Sequence, residues 1–416
     1  MRKLILFITF SIISFAGHSQ TKGCTDPRAT NYNSFATEND GSCVYSQTSY
    51  TLTTLTNLSD TVKETSGLVV FDGQYWTFND SGNTNQIFSI SPVNGRILRT
   101  ITVKNSVNID WEAITQSDTH LFIGDFGNNA NGARSDLRIY KISKEQIRNT
   151  LNDTVTAEII NFSYADQSSL TPVAANTTNY DAEAMIFAHD SLHIFSKDWN
   201  DLMTRHYTLS ANAGTWQAQS KETYDSGFLI TDASYSPVTG NIVLLGYNTS
   251  GAYPCYCLLL FDYKGSQFFS GNKRLIDLGS AMVNGQTEGI HLQSDNTGYI
   301  TNESVSYLFL KIKAKLQYFD FSAYMNGAST GENISNEDQK IKISPNPFKD
   351  YISLRLLPNM DNATYTIRNS TGKTVQEGNL YGGDNPICTS SLNNGIYLIT
   401  VEKENFKTIK AIKIEK

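Results

Sequence analysis

"DWEAITQ" (Asp110–Gln116), "DAEAMIFA" (Asp181–Ala188) and "TEGIHL" (Thr287–Leu292) share one form: a carboxylate, a small residue, then an apolar run with strand composition. Two looser copies, "ETSGLVVF" (Glu64–Phe71) and "TDASYSP" (Thr231–Pro237), complete a series. Its acidic residues Glu64, Glu112, Glu183, Asp232 and Glu288 stand 48, 71, 49 and 56 residues apart. A recurring unit of that length predicts a repeat architecture, in which one unit cannot bury its apolar face alone.

Each unit continues in the same way. A second strand-like run closes on polar residues: "QYWTFND", "HLFIGDFGNN", "LHIFSKDWND", "NIVLLGYNTS" and "GYITNES". A third follows: "QIFSIS", "DLRIYKI", "TRHYTLS", "CLLLFDY" and "YLFLKIK", with "RILRTITV" and "AEIINFSY" as fourth runs in the first two units. Four strands per unit predict an all-β fold, a five-bladed β-propeller over residues 48–325. The 71-residue interval leaves room for a sixth blade. "SYTLTTL" near Tyr50 precedes the first opener, so it is expected to supply the outer strand of the last blade and close the ring.

In a propeller the entry to strand one and the exit of strand two lie at the same mouth of the central channel. Two sets should therefore converge there. The first, Glu64, Glu112, Glu183, Asp232 and Glu288, is expected to hold a metal or to accept backbone N–H groups of the next blade. The second, Asp80, Asp125, Asp198, Asn248 and Glu303, is expected to contact ligand. Clustered carboxylates raise one another's pKa unless something cationic compensates, and an all-oxygen set suits calcium rather than zinc. Of the basic residues near the turns, Arg134, Arg138, Lys197 and Arg205, three adjoin acids. Trp76, Trp111 and Trp199 near the mouth suit sugar stacking and core packing alike. No HExxH, GxSxG, Walker loop or paired CxxC occurs, and the mature histidines show no ligand spacing.

The ends of the chain are of a different kind. Residues 1–19 combine Arg2 and Lys3, an apolar run from Leu4 to Phe15 and small residues before Gln20, which predicts a cleaved signal peptide; the run is too short to span a membrane. Export permits disulfides, so Cys24 and Cys43 in the module 20–47 are expected to pair. Cys255 and Cys257 share a strand face and are read as packing residues ahead of metal ligands. Residues 20–340 hold 21 basic and 33 acidic groups, which argues against nucleic acid as a partner.

Three resemblances follow from these residues. Gly23-Cys24-Thr25-Asp26-Pro27, Asn31-Tyr32-Asn33 and Asp40-Gly41-Ser42-Cys43 resemble a short module of secreted Bacteroidetes proteins; Asp26, Asn39 and Asp40 within it suit calcium ligation and turn formation. Residues 341–416, after a linker 326–340, resemble the type A C-terminal sorting domain of the type IX secretion system. Pro345, Asn346, Pro347, Phe348, Gly372, Gly395, Tyr397 and the Lys-rich end at Lys416 carry that likeness. It implies a small β-sandwich, passage through the type IX machinery, removal of the domain, and release or cell-surface attachment. The openers "SGL", "DWEAI", "DAEAM" and "TEGI", with "FIGDFGNN", are similar to phytase-like propellers, which implies a calcium-dependent phosphoesterase or esterase-like activity; the mouth has fewer Lys and Arg than a phytase. The two expectations are a surface propeller binding a glycan, peptide or small molecule at a calcium-loaded acidic mouth, and a calcium-dependent hydrolase.

Overall fold

The structure is a computed structural model that describes residues 20–307, 310–325, 341–344, 351–356, 363–369, 373–381, 383–403 and 406–414. The chain divides after Ala328 into two compact units. In the first, the strands fall into five antiparallel meanders of four. Unit one runs Val69–Phe71, Gln74–Phe78, Gln86–Ile90, Ile97–Val103, and unit two Trp111–Gln116, His120–Asp125, Arg138–Ser143, Glu158–Tyr164. Unit three is Ala182–Ala188, Ser191–Ser196, Met203–Ser210, Gly214–Asp225, and unit four Leu229–Tyr235, Ile242–Tyr247, Pro254–Phe261, Asn272–Ser280. Unit five takes Gln286–Leu292, Thr297–Glu303 and Lys315–Asp320 and borrows Thr53–Asn57 as its outer strand, with Lys315 opposite Asn57. The all-β propeller follows, and its ring is closed by the N-terminal strand where the sequence put it.

Two details differ from the sequence reading. The third strand of unit five is Lys315–Asp320, while Val305–Tyr307 and Leu310–Ile312 form a separate hairpin. The long interval between Glu112 and Glu183 holds a short helix, Lys144–Asn149, and the stretch 165–181, with no further four-stranded unit among the described residues. The outer strands of units two and three instead pair in parallel, Phe162 opposite Trp216.

The inner strands are too crowded at the axis for large side chains. A Cβ on Gly67, whose φ is +122°, would meet Phe78 at 2.9 Å, and one on Gly289 would meet the Gly67 backbone carbonyl carbon at 2.9 Å. This explains the small residue after each opener: it lets neighbouring units approach. Side chains then tie the units where no ladder runs. Thr231 donates to the Thr287 carbonyl, and the Leu292 N–H donates to Ser234. Between units the faces bury apolar clusters such as Trp76, Phe78, Trp111, Ile123 and Tyr140, so Trp76 and Trp111 belong to the core.

The N-terminal module packs on unit four. Asn39 donates to Asn272 at 2.9 Å, the Arg28 guanidinium lies 5.5 Å from the Phe261 ring centroid, and Thr48–Ser49 pairs in parallel with Ile276–Asp277. Asp26 is engaged by Arg28 and Tyr45, and Asn39 and Asp40 accept the N–H groups of Gly41 and Ser42, so the turn-forming role accounts for all three. Cys24 and Cys43 are disulfide-bonded, with Cα atoms 4.7 Å apart, while Cys255 and Cys257 are buried free thiols. Non-reducing peptide mapping should return Cys24 and Cys43 in one linked peptide. Breaking this bond should cost the module about 3 kcal/mol, and two free thiols in native protein would contradict the pairing.

The second compact unit has two sheets, one of Ile341–Ser344, Tyr351–Leu356 and Gly383–Cys388 and one of Ala363–Arg368, Thr374–Leu380, Gly395–Lys403 and Phe406–Ile414. Ile352, Leu354, Ile367, Leu380, Ile399 and Val401 share one apolar core, as in a sandwich. Gly395 and Tyr397 lie on the same strand; Pro345, Asn346, Pro347, Phe348, Gly372 and Lys416 fall outside the described residues, as do residues 1–19, where a signal peptide is expected. Among the described residues no helix is long and apolar enough to cross a membrane.

Candidate functional site

All five inner strands carry a one-residue register slip at the same level. Trp111 is opposite Asp125 and Ala113 opposite Gly124, which leaves Glu112 as an extra residue. The same slip leaves out Glu183, Thr231 and Glu288, and in unit one the pairs Thr65 with Asn79 and Val69 with Trp76 place it at Ser66. A β-bulge re-aims the extra side chain. Ser66, Glu112, Glu183, Thr231 and Glu288 are therefore equivalent positions, and four of them, Thr231 excepted, line an axial cavity of about 190 Å3.

The register also fixes which residue follows each bulge partner on strand two: Asp80, Phe126, Lys197, Tyr247 and Glu303. Asp80, Lys197 and Tyr247 line the cavity. Asp125, Asp198 and Asn248 are each one residue out of this register, and one step along a strand turns a side chain to the other face. Asp125 accordingly pairs with Arg134 at 2.9 Å, Asp198 with Arg205, and Asn248 donates to the Gly227 carbonyl at 2.8 Å. Glu303 is in register but is not among the cavity-lining residues; burial, then Glu288 and Asp80, hold its carboxyl well above the ordinary range.

The first set divides too. Asp232 stands one residue past the bulge and accepts the N–H groups of Ile290 in unit five and of Ala233, a purely structural role. Glu64 stands two residues before the bulge; its side chain is 40% exposed, and it accepts from Asn83 at 2.7 Å. The position equivalent to Glu64 in unit two is Asp110, which sequence reasoning passed over. Asp80, Asp110 and Glu112 each place a carboxylate oxygen within 4.8 Å of the other two. No side chain among the described residues donates to Asp110 or Glu112. Below them lies Gly127, where a Cβ would stand 2.3 Å from Glu112 Oε1 and 2.4 Å from Asp110 Oδ2, so only glycine leaves room for both carboxylates. Burial, reinforced by Asp80, pushes Asp110 up to about 7 and Glu112 well above the ordinary carboxyl range.

Across the cavity the charge is balanced. The Lys197 ammonium donates to both oxygens of Glu183 and lies 4.9 Å from the Trp199 and 5.2 Å from the Tyr247 ring centroids. Among the described residues it is the sole basic one lining the cavity, and Glu183 holds its pKa well above the lysine range. Glu288, only 4% exposed, accepts from Gln286 through Oε1, while its buried Oε2 accepts none, the neighbouring Thr231 hydroxyl being donated to the Thr287 carbonyl; burial pushes the carboxyl up to about 7. Arg134, Arg138 and Arg205 are all engaged by aspartates.

Residues 342–415 match the family described as the secretion system C-terminal sorting domain. No curated protein matches the chain. Among solved structures, PorZ, a surface component of the type IX secretion system of Porphyromonas gingivalis, is 13% identical over 85% of this chain at a TM-score of 0.31; the match spans 45% of PorZ. An exo-β-1,3-galactanase from Phanerochaete chrysosporium is 11% identical over 87% of this chain and 99% of its own, at a TM-score of 0.41. A Bombyx mori GH32 β-fructofuranosidase is 9% identical over 88% of each chain, at a TM-score of 0.35. With every TM-score below 0.5, the fold rests on the strand pairing above. The chain is an exported all-β propeller protein. Its C-terminal segment is a type IX secretion sorting domain, which directs it to release or to the outer cell surface.

Proposed function

We propose that the propeller is a binding module whose axial cavity takes a small ligand, with a hard divalent cation of the calcium type held between units one and two by Asp80, Asp110 and Glu112. The convergence of three carboxylates within 4.8 Å, over a glycine that leaves them room and without a cationic side chain on Asp110 or Glu112, carries this reading. An oxygen-only set suits calcium. Buried anions left without such a partner are costly.

Calcium added to chelator-treated protein should raise its melting temperature, by about 2.7 kcal/mol of stability at about 100-fold above Kd. Asp110→Asn and Glu112→Gln should remove the response, and Gly127→Ala should weaken it with every ligand still present. Glu64→Gln and Glu183→Gln should keep it, because the first lies aside and the second belongs to the lysine. An unchanged melting temperature with and without calcium would sink the proposal.

The pH response gives a second check. Burial holds Glu288 and Asp198 up to about 7, against ordinary values of 4.5 and 3.8. A carboxyl raised on folding keeps its stabilising proton below the unfolded value and loses it as pH rises through the folded one. Cation-free protein should therefore melt lower at about pH 8 than at about pH 5.

A calcium-dependent hydrolase is the second reading, favoured by the unpartnered Glu288 oxygen facing the same cavity. Phosphoester and acyl-ester hydrolysis, screened with calcium and with chelator, tests it directly.

A further inference from the structure

Resting on the cation reading above, we infer that the cavity takes a single neutral sugar ring, two of whose vicinal hydroxyls complete the cation's coordination while a third donates to Glu288. Three observations on the cavity wall lead there.

The first is charge. Among the described residues Lys197 is the one cationic side chain lining the cavity and is spent on Glu183, so a phosphate or carboxylate ligand would have the carboxylate-held cation as its sole counter-charge while facing Glu288. An alkylammonium ligand meets the opposite difficulty, because Lys197 already fills the box of Glu183, Trp199 and Tyr247 that would hold it. A neutral ligand rich in hydroxyls suits what remains.

The second is the orphan oxygen. Glu288 Oε2 is buried without a donor, and a buried acceptor left unmade costs roughly 1–3 kcal/mol. A ligand hydroxyl supplies the missing donor. Asn129, Asn176 and Ser66 also line the cavity and offer amide and hydroxyl groups of the kind that orient a polyol.

The third is size and shape. A volume of about 190 Å3 exceeds the roughly 150 Å3 of a cavity that takes benzene, so one ring fits. Trp199 is half-buried at the wall with its indole N–H fixed on Asp181 at 2.7 Å, so a lining aromatic ring is held in place.

The test is titration of the mature chain with D-galactose, D-mannose and L-fucose, read by tryptophan fluorescence and melting temperature, in calcium and in chelator. At least one sugar should bind saturably at millimolar concentration in calcium only. Glu288→Gln and Trp199→Ala should each weaken that binding about tenfold or more. Both variants should keep the calcium response, since neither residue belongs to the cation trio, and this shows that they fold. A calcium response with no sugar response overturns the inference and leaves the cation reading standing. Loss of the calcium response in the parent chain overturns both. Sugar binding that persists in chelator, or binding of butylammonium or inorganic phosphate in place of the sugars, overturns the chelation of a neutral diol.

Discussion

Deletion of residues 342–415 is expected to abolish delivery to the cell surface while leaving the propeller folded. The deleted segment is the sorting domain, and it closes its core from its own strands, with Ile352, Leu354, Ile367 and Val401 among the buried residues. The propeller likewise completes its ring within its own residues, because Thr53–Asn57 supplies the last outer strand. A domain with its own core and ordered edges retains its stability when a neighbour is removed. Cell fractionation should find the truncated chain in the periplasm, and purified truncated protein should keep the melting temperature and calcium response of the mature form. Mass analysis of the native surface protein should place its C-terminus between Asn333 and Lys342. Truncated chain appearing at the surface in normal amount would remove the sorting role, and a mature protein still ending at Lys416 would remove the processing step.

How far the site could be read in the sequence depended on register. The D-x-E-A openers of units two and three are near-identical, so the acids aligned there, Glu112 and Glu183, are the ones the structure finds at the bulge, and Glu288 followed from the same small residue after it. Units one and four lack that glutamate. Aligning them on their nearest acid slid Glu64 two residues early and Asp232 one residue late, past the true equivalents Ser66 and Thr231. On strand two the search for closing polar or acidic residues took Asp125, Asp198 and Asn248 in place of Phe126, Lys197 and Tyr247. Side-chain direction alternates along a strand, so a shift too small to disturb the fold reading reversed the side chain's face. The fold was legible because it rests on apolar periodicity averaged over many residues, whereas a site rests on single positions. Asp110 had a visible signal in the repeated Asp two residues before Glu112 and Glu183. Gly127 had none without the carboxylates above it.

Lys197→Met is expected to be among the most destabilising single changes in the propeller. The residue is 2% exposed, its ammonium donates to both Glu183 oxygens, and no other basic residue among those described lines the cavity. Methionine fills a similar volume, so the loss is electrostatic: a buried carboxylate stripped of its partner costs about 3–5 kcal/mol. The penalty should depend on pH in a definite sense. Burial already pushes Glu183 up and Lys197 opposes it, so without the lysine the folded pKa climbs further above the ordinary 4.5. A carboxyl raised on folding confers its stability below the unfolded value and loses it as pH rises, so the variant should approach the parent near about pH 4 to 5 and fall away toward about pH 8. Adding Glu183→Leu should recover most of the loss, because exchanging both members of a buried pair for apolar groups is far less costly than removing one. Urea unfolding of the parent, both single variants and the double variant measures the coupling directly. If Lys197→Met costs no more than an ordinary surface substitution, or if the double variant is no more stable than the single, then Lys197 is not the counter-charge of the axial ring.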